Sequence, residues 1–278
     1  MPRSKVLHQA TVTAHEAAGR GFRRLVLRAP ELASDARPGQ FVMLRVSASI
    51  DPILARPFGI SAVIRRQAIE LYYRVVGKGT ALLSTVERGA MLSLQGPLGN
   101  GFPEPDRDAL PILVAGGSGF PPLLFFAARL ASKPVVFLGA RNKDCLVPAT
   151  AIKCCRSHAR KVYITTDDGS AGKAGFVTDA LTAFLDGSRE RDRAVIYSCG
   201  PRAMMAAVSK VAADRNVPSY VSMEERMACG LGVCMGCSVA VKAGGYKRVC
   251  KEGPVFDARV IDWSEHVVLP VPNGKQVK

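Results

Sequence analysis

Apolar and polar residues alternate in short runs along the first third of the chain. ATVTAH, FRRLVLRA, QFVMLRV, FGISAVI, AIELYYRVV and MLSLQG each suit a strand with a buried face, and turn residues such as Pro38-Gly39 separate them. Short strands at this spacing predict an antiparallel β-barrel or sandwich over residues 1–105. One short helix is predicted inside it, from Thr80 to about Val86. From 106 to 215 the period changes. The runs PILVA, PVVFLGA, KVYITT and AVIYSC read as strands, and PLLFFAARLA, VTDALTAFL and RAMMAAVSKVA read as helices between them. Strands alternating with helices predict a parallel sheet covered by helices, an α/β domain. Residues 216–262 form a small cysteine-bearing module, and 263–278 a tail with a polar end. The predicted fold class is therefore α+β and multidomain.

Length and composition agree with that division. A chain of 278 residues, 48% hydrophobic, can build two cores and a small module. The net charge of +15 raises the question of an anionic partner. The basic residues are scattered, with no long run and no nucleic-acid motif, so phosphate-rich cofactors and a protein partner account for the charge better than nucleic acid. Residues 109–128 carry no charge, but their glycines and prolines suit a buried strand, a tight turn and a packed helix rather than a membrane span. No signal peptide is visible, and the expected location is cytoplasmic.

Four cysteines carry the strongest chemical signal. Cys229, Cys234, Cys237 and Cys250 follow the pattern C-x4-C-x2-C-x12-C. The first three match the opening of a plant-type [2Fe–2S] pattern, and the fourth comes sooner than it does there. Each iron of such a cluster takes two thiolates. Gly230, Gly232 and Gly236 let the backbone wrap the cluster and turn N–H groups toward its sulfurs. Structural zinc is the competing reading, since zinc also takes four thiolates. Zinc sites more often show two separated pairs, whereas here three cysteines crowd together. Disulfides are a third reading, and nothing in the chain implies an oxidising compartment. Cys145, Cys154, Cys155 and Cys199 read as reduced thiols.

Five further motifs suggest nucleotide chemistry. Arg56-Pro57-Phe58-Gly59-Ile60-Ser61 places a guanidinium fork on a strand that leaves a proline turn, where it can hold phosphate. Tyr73-Arg74-Val75-Val76-Gly77-Lys78-Gly79-Thr80 ends a strand in a glycine turn that opens a helix, and free N–H groups there attract phosphate. Thr80 can cap that helix or bind a phosphate. Gly116-Gly117-Ser118-Gly119 follows the strand PILVA, where a dinucleotide pyrophosphate sits in α/β folds, although the G-x-G-x-x-G fingerprint is absent. Cys199 and Gly200 lie at the end of the strand AVIYSC, where Cys199 can face a nicotinamide or simply pack. Thr166 and Asp167 lie past another strand end and can bond a ribose or cap a turn.

Taken in order, RPFGIS, YYRVVGKGT, GPLGNGF, GGSGFPPLL, TDDGSAGKAGFVTD, CGPRAMM and ERMACGLGVCMGC…YKRVCKEGPVFDA span nearly the whole chain. The set resembles the electron-transfer subunit of the NAD-dependent, two-subunit dihydroorotate dehydrogenase, within the ferredoxin reductase superfamily. The resemblance implies an FAD-binding barrel, an NAD-binding α/β domain, a [2Fe–2S] module and an FMN-containing catalytic partner, as a heterotetramer of two subunits of each kind in pyrimidine biosynthesis. It implies that Arg56, Pro57, Phe58, Tyr73, Arg74, Val75, Gly79 and Thr80 bind FAD. Gly116, Gly117 and Gly119 would line the nicotinamide site, and the four cysteines would bind the cluster. Gly59 stands where the family's flavin motif has Ser or Thr, so a hydroxyl is missing; Ser61 lies one pleat further along. Orotate chemistry is expected in the partner, with no acid–base residue for it here. The basic residues Arg226, Lys242, Lys247, Arg248 and Lys251 near the cluster suit docking to an acidic partner or a solvated face. A reductase subunit of a ferredoxin:NAD(P) oxidoreductase or a sulfide dehydrogenase shares these domains. Some of those relatives replace a cysteine ligand with Asp. From another class, a zinc-stapled binding module is the alternative.

Overall fold

The structure, a computed structural model, describes residues 6–47 and 49–264. Most of the predicted tail, 265–278, lies outside them. The first region holds β1 (Val6–Gly19), β2 (Phe22–Arg28), α1 (Pro30–Asp35), β3 (Phe41–Leu44), β4 (Arg56–Ile64), β5 (Ala68–Arg74), α2 (Lys78–Ser84) and β6 (Met91–Leu98). The six strands close into an antiparallel barrel in the order β1-β2-β5-β4-β3-β6. Alternation drives the closure. Leu25 and Leu27 on β2, Ile69 and Leu71 on β5, and Leu92 and Leu94 on β6 all point into one core. Each such side chain contributes about 1.5–3 kcal/mol by leaving water. Helix α2 begins two residues before its predicted start. The Thr80 hydroxyl accepts the N–H groups of Val76 and Gly77 at 2.9 and 3.1 Å, and so pins the turn at Gly77.

The second region holds β7 (Leu110–Gly116), α3 (Phe120–Ala127), β8 (Val135–Ala140), α4 (Ala149–His158), β9 (Lys161–Thr166), β10 (Lys173–Ala174), α5 (Val177–Gly187), β11 (Ala194–Cys199), α6 (Arg202–Ala213) and β12 (Ser219–Ser222). The cysteine segment adds β13 (Ser238–Ala240), β14 (Tyr246–Arg248) and β15 (Val255–Asp257). One seven-stranded sheet runs β10-β9-β8-β7-β11-β12-β15, parallel except for β15. Strand β7 is buried along its whole length, as a central strand covered on both faces must be. Residues 219–222 thus continue the α/β sheet, and β15 returns to its edge. The cysteine segment is held between two strands of that sheet rather than appended after it.

Helix α3 welds the two regions together. It is buried throughout and packs on β4 of the barrel and on β7 of the sheet. Phe102 stacks on Phe126 at 5.0 Å and meets Tyr197 edge-on at 5.8 Å, while the Tyr197 hydroxyl donates to the Pro103 carbonyl. The cysteine segment has its own core. Cys237, Val239, Val249 and Cys250 pack with Phe41, Met43 and Leu98 of the barrel. Among the described residues no helix is long and apolar enough to cross a membrane.

Candidate functional site

The strand order reverses at β7 and β11, which places a crevice at their carboxyl ends. The barrel closes the other side of that crevice. The result is a cleft of about 550 Å³, within the ~300–1,000 Å³ of small-molecule and cofactor pockets. Arg56, Pro57, Phe58 and Gly59 from β4 line it, with Tyr72, Tyr73 and Arg74 from β5 and Val76 and Thr80 beyond. Ser118, Pro121 and Pro122 face them from the sheet domain, with Cys199. The segment Ser222–Met227 forms the third wall.

The two predicted phosphate devices meet at one end. The Arg56 guanidinium lies over Gly79, where a Cβ would stand 2.8 Å from Nε. The glycine is there because the arginine needs the space. Arg56 also donates to the Leu54 carbonyl at 2.6 Å, which fixes its stem. Thr80 spends its hydroxyl on the helix start, so capping is the role the geometry assigns it. Phe58 and Tyr73 form an aromatic wall, their rings tilted by 58° with centroids 5.6 Å apart. Tyr73 is steadied by His15, whose Nε2 is 2.8 Å from the phenol oxygen, while His15 Nδ1 lies 2.7 Å from the Val86 carbonyl oxygen. Burial pushes the Tyr73 phenol up to about 12. Arg74 leans over the Phe22 ring at 5.1 Å, and Val75 is exposed at the rim.

Gly59 has a packing reason. A Cβ there would stand 3.3 Å from Pro122 Cδ, in the first turn of α3. The barrel and the sheet domain touch at this point, and a hydroxyl-bearing side chain would crowd the contact. Ser61 does not replace the missing hydroxyl. It is buried and donates to the Glu70 carbonyl at 2.9 Å and to Glu70 Oε1 at 3.0 Å.

The glycine turn after β7 divides by direction. Cβ atoms on Gly116 and Gly119 would run into Met204 and the Cys199 carbonyl, at 2.5 and 2.4 Å. Gly200 packs on Gly116 in return, 2.9 Å from where its own Cβ would stand. Gly119 and Gly200 let the β7 and β11 turns approach backbone to backbone, and Gly116 makes room for the Met204 and Pro201 side chains. Gly117, with φ +51°, is the member that faces open space, and Ser118 beside it reaches the cleft. Thr166 is buried and closes a local turn, exchanging hydrogen bonds with the Ala171 backbone. Asp167 is exposed beside it, two strands from the cleft.

Glu224 is a cleft residue that the sequence motifs did not single out. Glu224 lies on the cleft wall with Oε1 3.9 Å from the Cys199 sulfur. Glu224 is exposed on that wall, and burial, then the neighbouring Glu224 carboxyl, raises the Cys199 thiol. A glutamate just before a cysteine loop gives no periodic signal, and only the folded cleft shows what it faces.

Two residues after Met227, the cleft wall becomes the cysteine loop. Gly230, Gly232 and Met235 adopt left-handed backbone there, and all four cysteines are free thiols. Gly230 lets the loop press on Met43, whose Cγ would be 2.6 Å from a Cβ. Cys237 and Cys250 lie in one buried core beneath the loop, while Cys229 is half-buried and Cys234 exposed on it. Among the described residues, no three ligating side chains surround a single-ion position. The Cys250 N–H donates to the Cys237 sulfur at 3.4 Å, and the Leu231 N–H to the Cys229 sulfur at 3.3 Å. Burial opposes ionisation of Cys229, but the N–H groups of Cys234, Leu231 and Val233 outweigh it and bring the thiol down to about 6. Burial, then Cys237, push Cys250 up to about 12. Four free thiols around one loop, with backbone N–H groups already donating to the Cys229 and Cys237 sulfurs, fit a binuclear iron–sulfur group.

The basic residues near this loop differ in what they do. Lys247 and Lys242 are exposed, and Arg226 lines the cleft. Arg248 is turned inward to Glu252 and the Gly232 carbonyl, and the Lys251 stem packs on Gly232. Arg248 is therefore not a free docking charge.

A barrel, a parallel-sheet domain and a cleft between them define a flavin reductase of the ferredoxin reductase type, here with a cysteine loop at the cleft's end. Residues 113–210 match the model of the oxidoreductase NAD-binding domain, and residues 224–262 match that of the iron–sulfur cluster binding domain of dihydroorotate dehydrogenase B. The chain is 40% identical over 245 residues to the dihydroorotate dehydrogenase B (NAD(+)) electron transfer subunit of Desulforamulus reducens, covering 84% of this chain and 90% of that one. It is also 40% identical to the Geobacillus kaustophilus subunit of the same name, covering 80% and 85%. The structure of an NADH-dependent reduced ferredoxin-NADP oxidoreductase, studied for flavin-based electron bifurcation, matches with a TM-score of 0.80 and 28% identity, covering 95% of this chain and 92% of that one. A Neisseria gonorrhoeae ferredoxin NADP+ reductase with bound FAD and NADP shares the fold at a TM-score of 0.61 and 15% identity, covering 79% and 94%. The chain belongs to the family of dihydroorotate dehydrogenase B electron transfer subunits. It is an oxidoreductase subunit with an NAD-binding domain and an iron–sulfur binding domain.

Proposed function

We propose that this chain carries electrons from an FMN-containing, dihydroorotate-oxidising partner subunit to NAD+, by way of a [2Fe–2S] cluster and FAD, in pyrimidine biosynthesis. The assembly is a cytoplasmic heterotetramer with two subunits of each kind. One observation carries the reading: the wall of the cleft continues without interruption into the cysteine loop, with Met227 lining the cleft and Cys229 two residues on. Bound FAD supplies the step between one-electron and two-electron chemistry that a cluster and a nicotinamide cannot make directly.

The residues divide that work by position. Arg56 and the backbone around Gly77–Gly79 present positive charge and N–H groups to a pyrophosphate. Phe58 and Tyr73 line one side of the cleft with aromatic surface for a flat ring, and Pro121, Pro122 and Cys199 close the opposite side against water. Gly117 and Ser118 are the open part of the turn where a nicotinamide nucleotide enters. Glu224 places a carboxyl beside Cys199 in the cleft. Cys229, Cys234, Cys237 and Cys250 would hold the cluster, which would supply one-electron transfer.

The outer side of the loop suits a partner. Cys234 is exposed, and Leu231, Val233 and Met235 around it are exposed apolar side chains, Val233 at 76%. Contiguous apolar surface beside a redox group marks a docking face. The test is to assay the isolated chain. It is expected to oxidise NADH with an artificial acceptor and to produce no orotate until the FMN-containing partner is added. Orotate formation by the chain alone would contradict the division of labour. Co-purification with a ferredoxin-reducing complex and no FMN subunit would favour the ferredoxin:NAD(P) reductase reading, which the 28% identical neighbour keeps open.

A further inference from the structure

The His15 side chain, on barrel strand β1, is bonded at both ring nitrogens. Its Nδ1 lies 2.7 Å from the Val86 carbonyl oxygen, and its Nε2 lies 2.8 Å from the Tyr73 hydroxyl oxygen. A carbonyl oxygen can only accept, so Nδ1 carries the hydrogen. Arg23 Nε donates to Nε2 at 3.2 Å, so that nitrogen offers a lone pair and the ring is neutral. The bond between Tyr73 and His15 therefore runs in one direction, from the phenol hydroxyl to Nε2. Burial, the largest influence on this ring, also disfavours its charged form.

Both neighbours of His15 belong to the construction of the cleft. Tyr73 is buried in the barrel core and lines the cleft beside Phe58. Val86 lies two residues beyond α2, whose Thr80 lines the same cleft, and its N–H donates to the Leu83 carbonyl at 3.1 Å. The base under His15 is fixed as well. His15 faces Leu25 in the β1–β2 ladder. Three residues earlier, the Val12 N–H donates to the Ala90 carbonyl at 2.9 Å and the Val12 carbonyl accepts the Gly89 N–H at 2.8 Å. One neutral imidazole thus spans the aromatic wall and the segment that follows α2. An anchored hydroxyl fixes the axis of the Tyr73 ring, and with it the surface that the ring turns to the cleft.

We propose that His15 is a positioning residue for FAD: it accepts the Tyr73 hydroxyl on Nε2 while Nδ1 grips the Val86 carbonyl, and so holds the aromatic wall of the cleft in place for the cofactor. The inference rests on reading the cleft as the FAD site. With its hydrogen committed to His15, the Tyr73 hydroxyl has none to donate to the cofactor, and Tyr73 serves through the surface of its ring. Asparagine at 15 keeps an amide N–H near the position of Nδ1 but ends short of Tyr73. Glutamine reaches the position of Nε2 and can accept the phenol.

The experiment measures FAD release from the full chain on dilution, by flavin fluorescence, in His15→Asn, His15→Gln, Tyr73→Phe and the double variant His15→Asn with Tyr73→Phe. His15→Asn and Tyr73→Phe are each expected to bind FAD about tenfold more weakly, the worth of one net hydrogen bond. The double variant is expected to lose no more than either alone, because both changes remove the same bond. His15→Gln is expected to regain most of the native affinity. Losses that multiply to about 100-fold in the double variant would show that His15 acts on something other than Tyr73, and would overturn the proposal. So would native affinity in His15→Asn, or a His15→Gln variant that binds no better than His15→Asn. A fall in Tm for His15→Asn that Tyr73→Phe does not share would make His15 a structural residue only, with the same consequence. If the wild-type chain takes up no FAD, the reading of the cleft fails first, and the two failures are told apart.

Discussion

Cys234→Ser is expected to abolish the iron–sulfur signal while leaving FAD bound. Cys234 is the exposed member of the four, so its replacement removes a ligand without opening a buried core. A serine oxygen is a harder and poorer ligand for this iron than a thiolate. The flavin cleft is lined by other residues, Arg56, Phe58 and Tyr73 among them. Partner-linked NAD+ reduction should fall by at least about 100-fold, the upper end of what even an outer-shell change costs a metal site. The measurement is iron and flavin content of the purified variant, followed by the rate with the catalytic subunit present. A variant that keeps both iron and rate would remove Cys234 from the ligand set.

The second large effect is expected from Gly119→Ala. A Cβ at 119 would stand 2.4 Å from the Cys199 carbonyl oxygen and 2.5 Å from both the Cys199 carbonyl carbon and the Gly200 nitrogen. These are backbone atoms of the β11 turn and cannot swing aside as a side chain would. The start of α3 must separate from the end of β11, and α3 is also the helix that joins barrel and sheet. The cost is expected at or above the top of the usual ~1–3 kcal/mol for overpacking. For a chain of this size that is a fall of about 6–12 °C in Tm. Gly117→Ala is the comparison. Open space surrounds that position, so its cost is the ~1–2 kcal/mol of left-handed backbone alone, with a weaker hold on NADH as the main effect. Equal melting temperatures for the Gly119 variant and the native chain would show that the two turns do not pack as described.

These two residues mark the difference between what the sequence discloses and what it withholds. Cysteine spacing is chemistry written directly in order along the chain, and four thiols so placed have few uses. Strand alternation in the barrel is equally direct, because each side chain's face follows from its parity. A glycine shows only that a Cβ is absent, not what would have met it. Gly116, Gly119 and Gly200 read as cofactor contacts in a motif, yet a Cβ on Gly119 or Gly200 would meet backbone and one on Gly116 the Met204 and Pro201 side chains, while Gly117 faces open space. Charge has the same ambiguity. Arg248 and Lys247 are neighbours with the same sign, and the pleat of β14 leaves Lys247 exposed while Arg248 is clasped by Glu252. Helix α4 carries no side-chain cap and only a broken apolar stripe, Ala151, Ile152 and Cys155, so its pattern is faint. Strand β12 has four residues, too short for alternation to declare itself, and its neighbour β15 lies more than thirty residues on. Long-range pairing of that kind is decided by packing against Phe256 and Val221, which local pattern does not encode.

The account stands on cysteine thiolates joined by a cleft to a flavin. Iron, acid-labile sulfide and flavin analysis of anaerobically purified chain, with an absorption spectrum, tests that most directly. The expected result is about two irons and two sulfides for each FAD, in a red-brown protein with flavin absorption. A colourless protein carrying a lone zinc, with neither sulfide nor flavin, would contradict it.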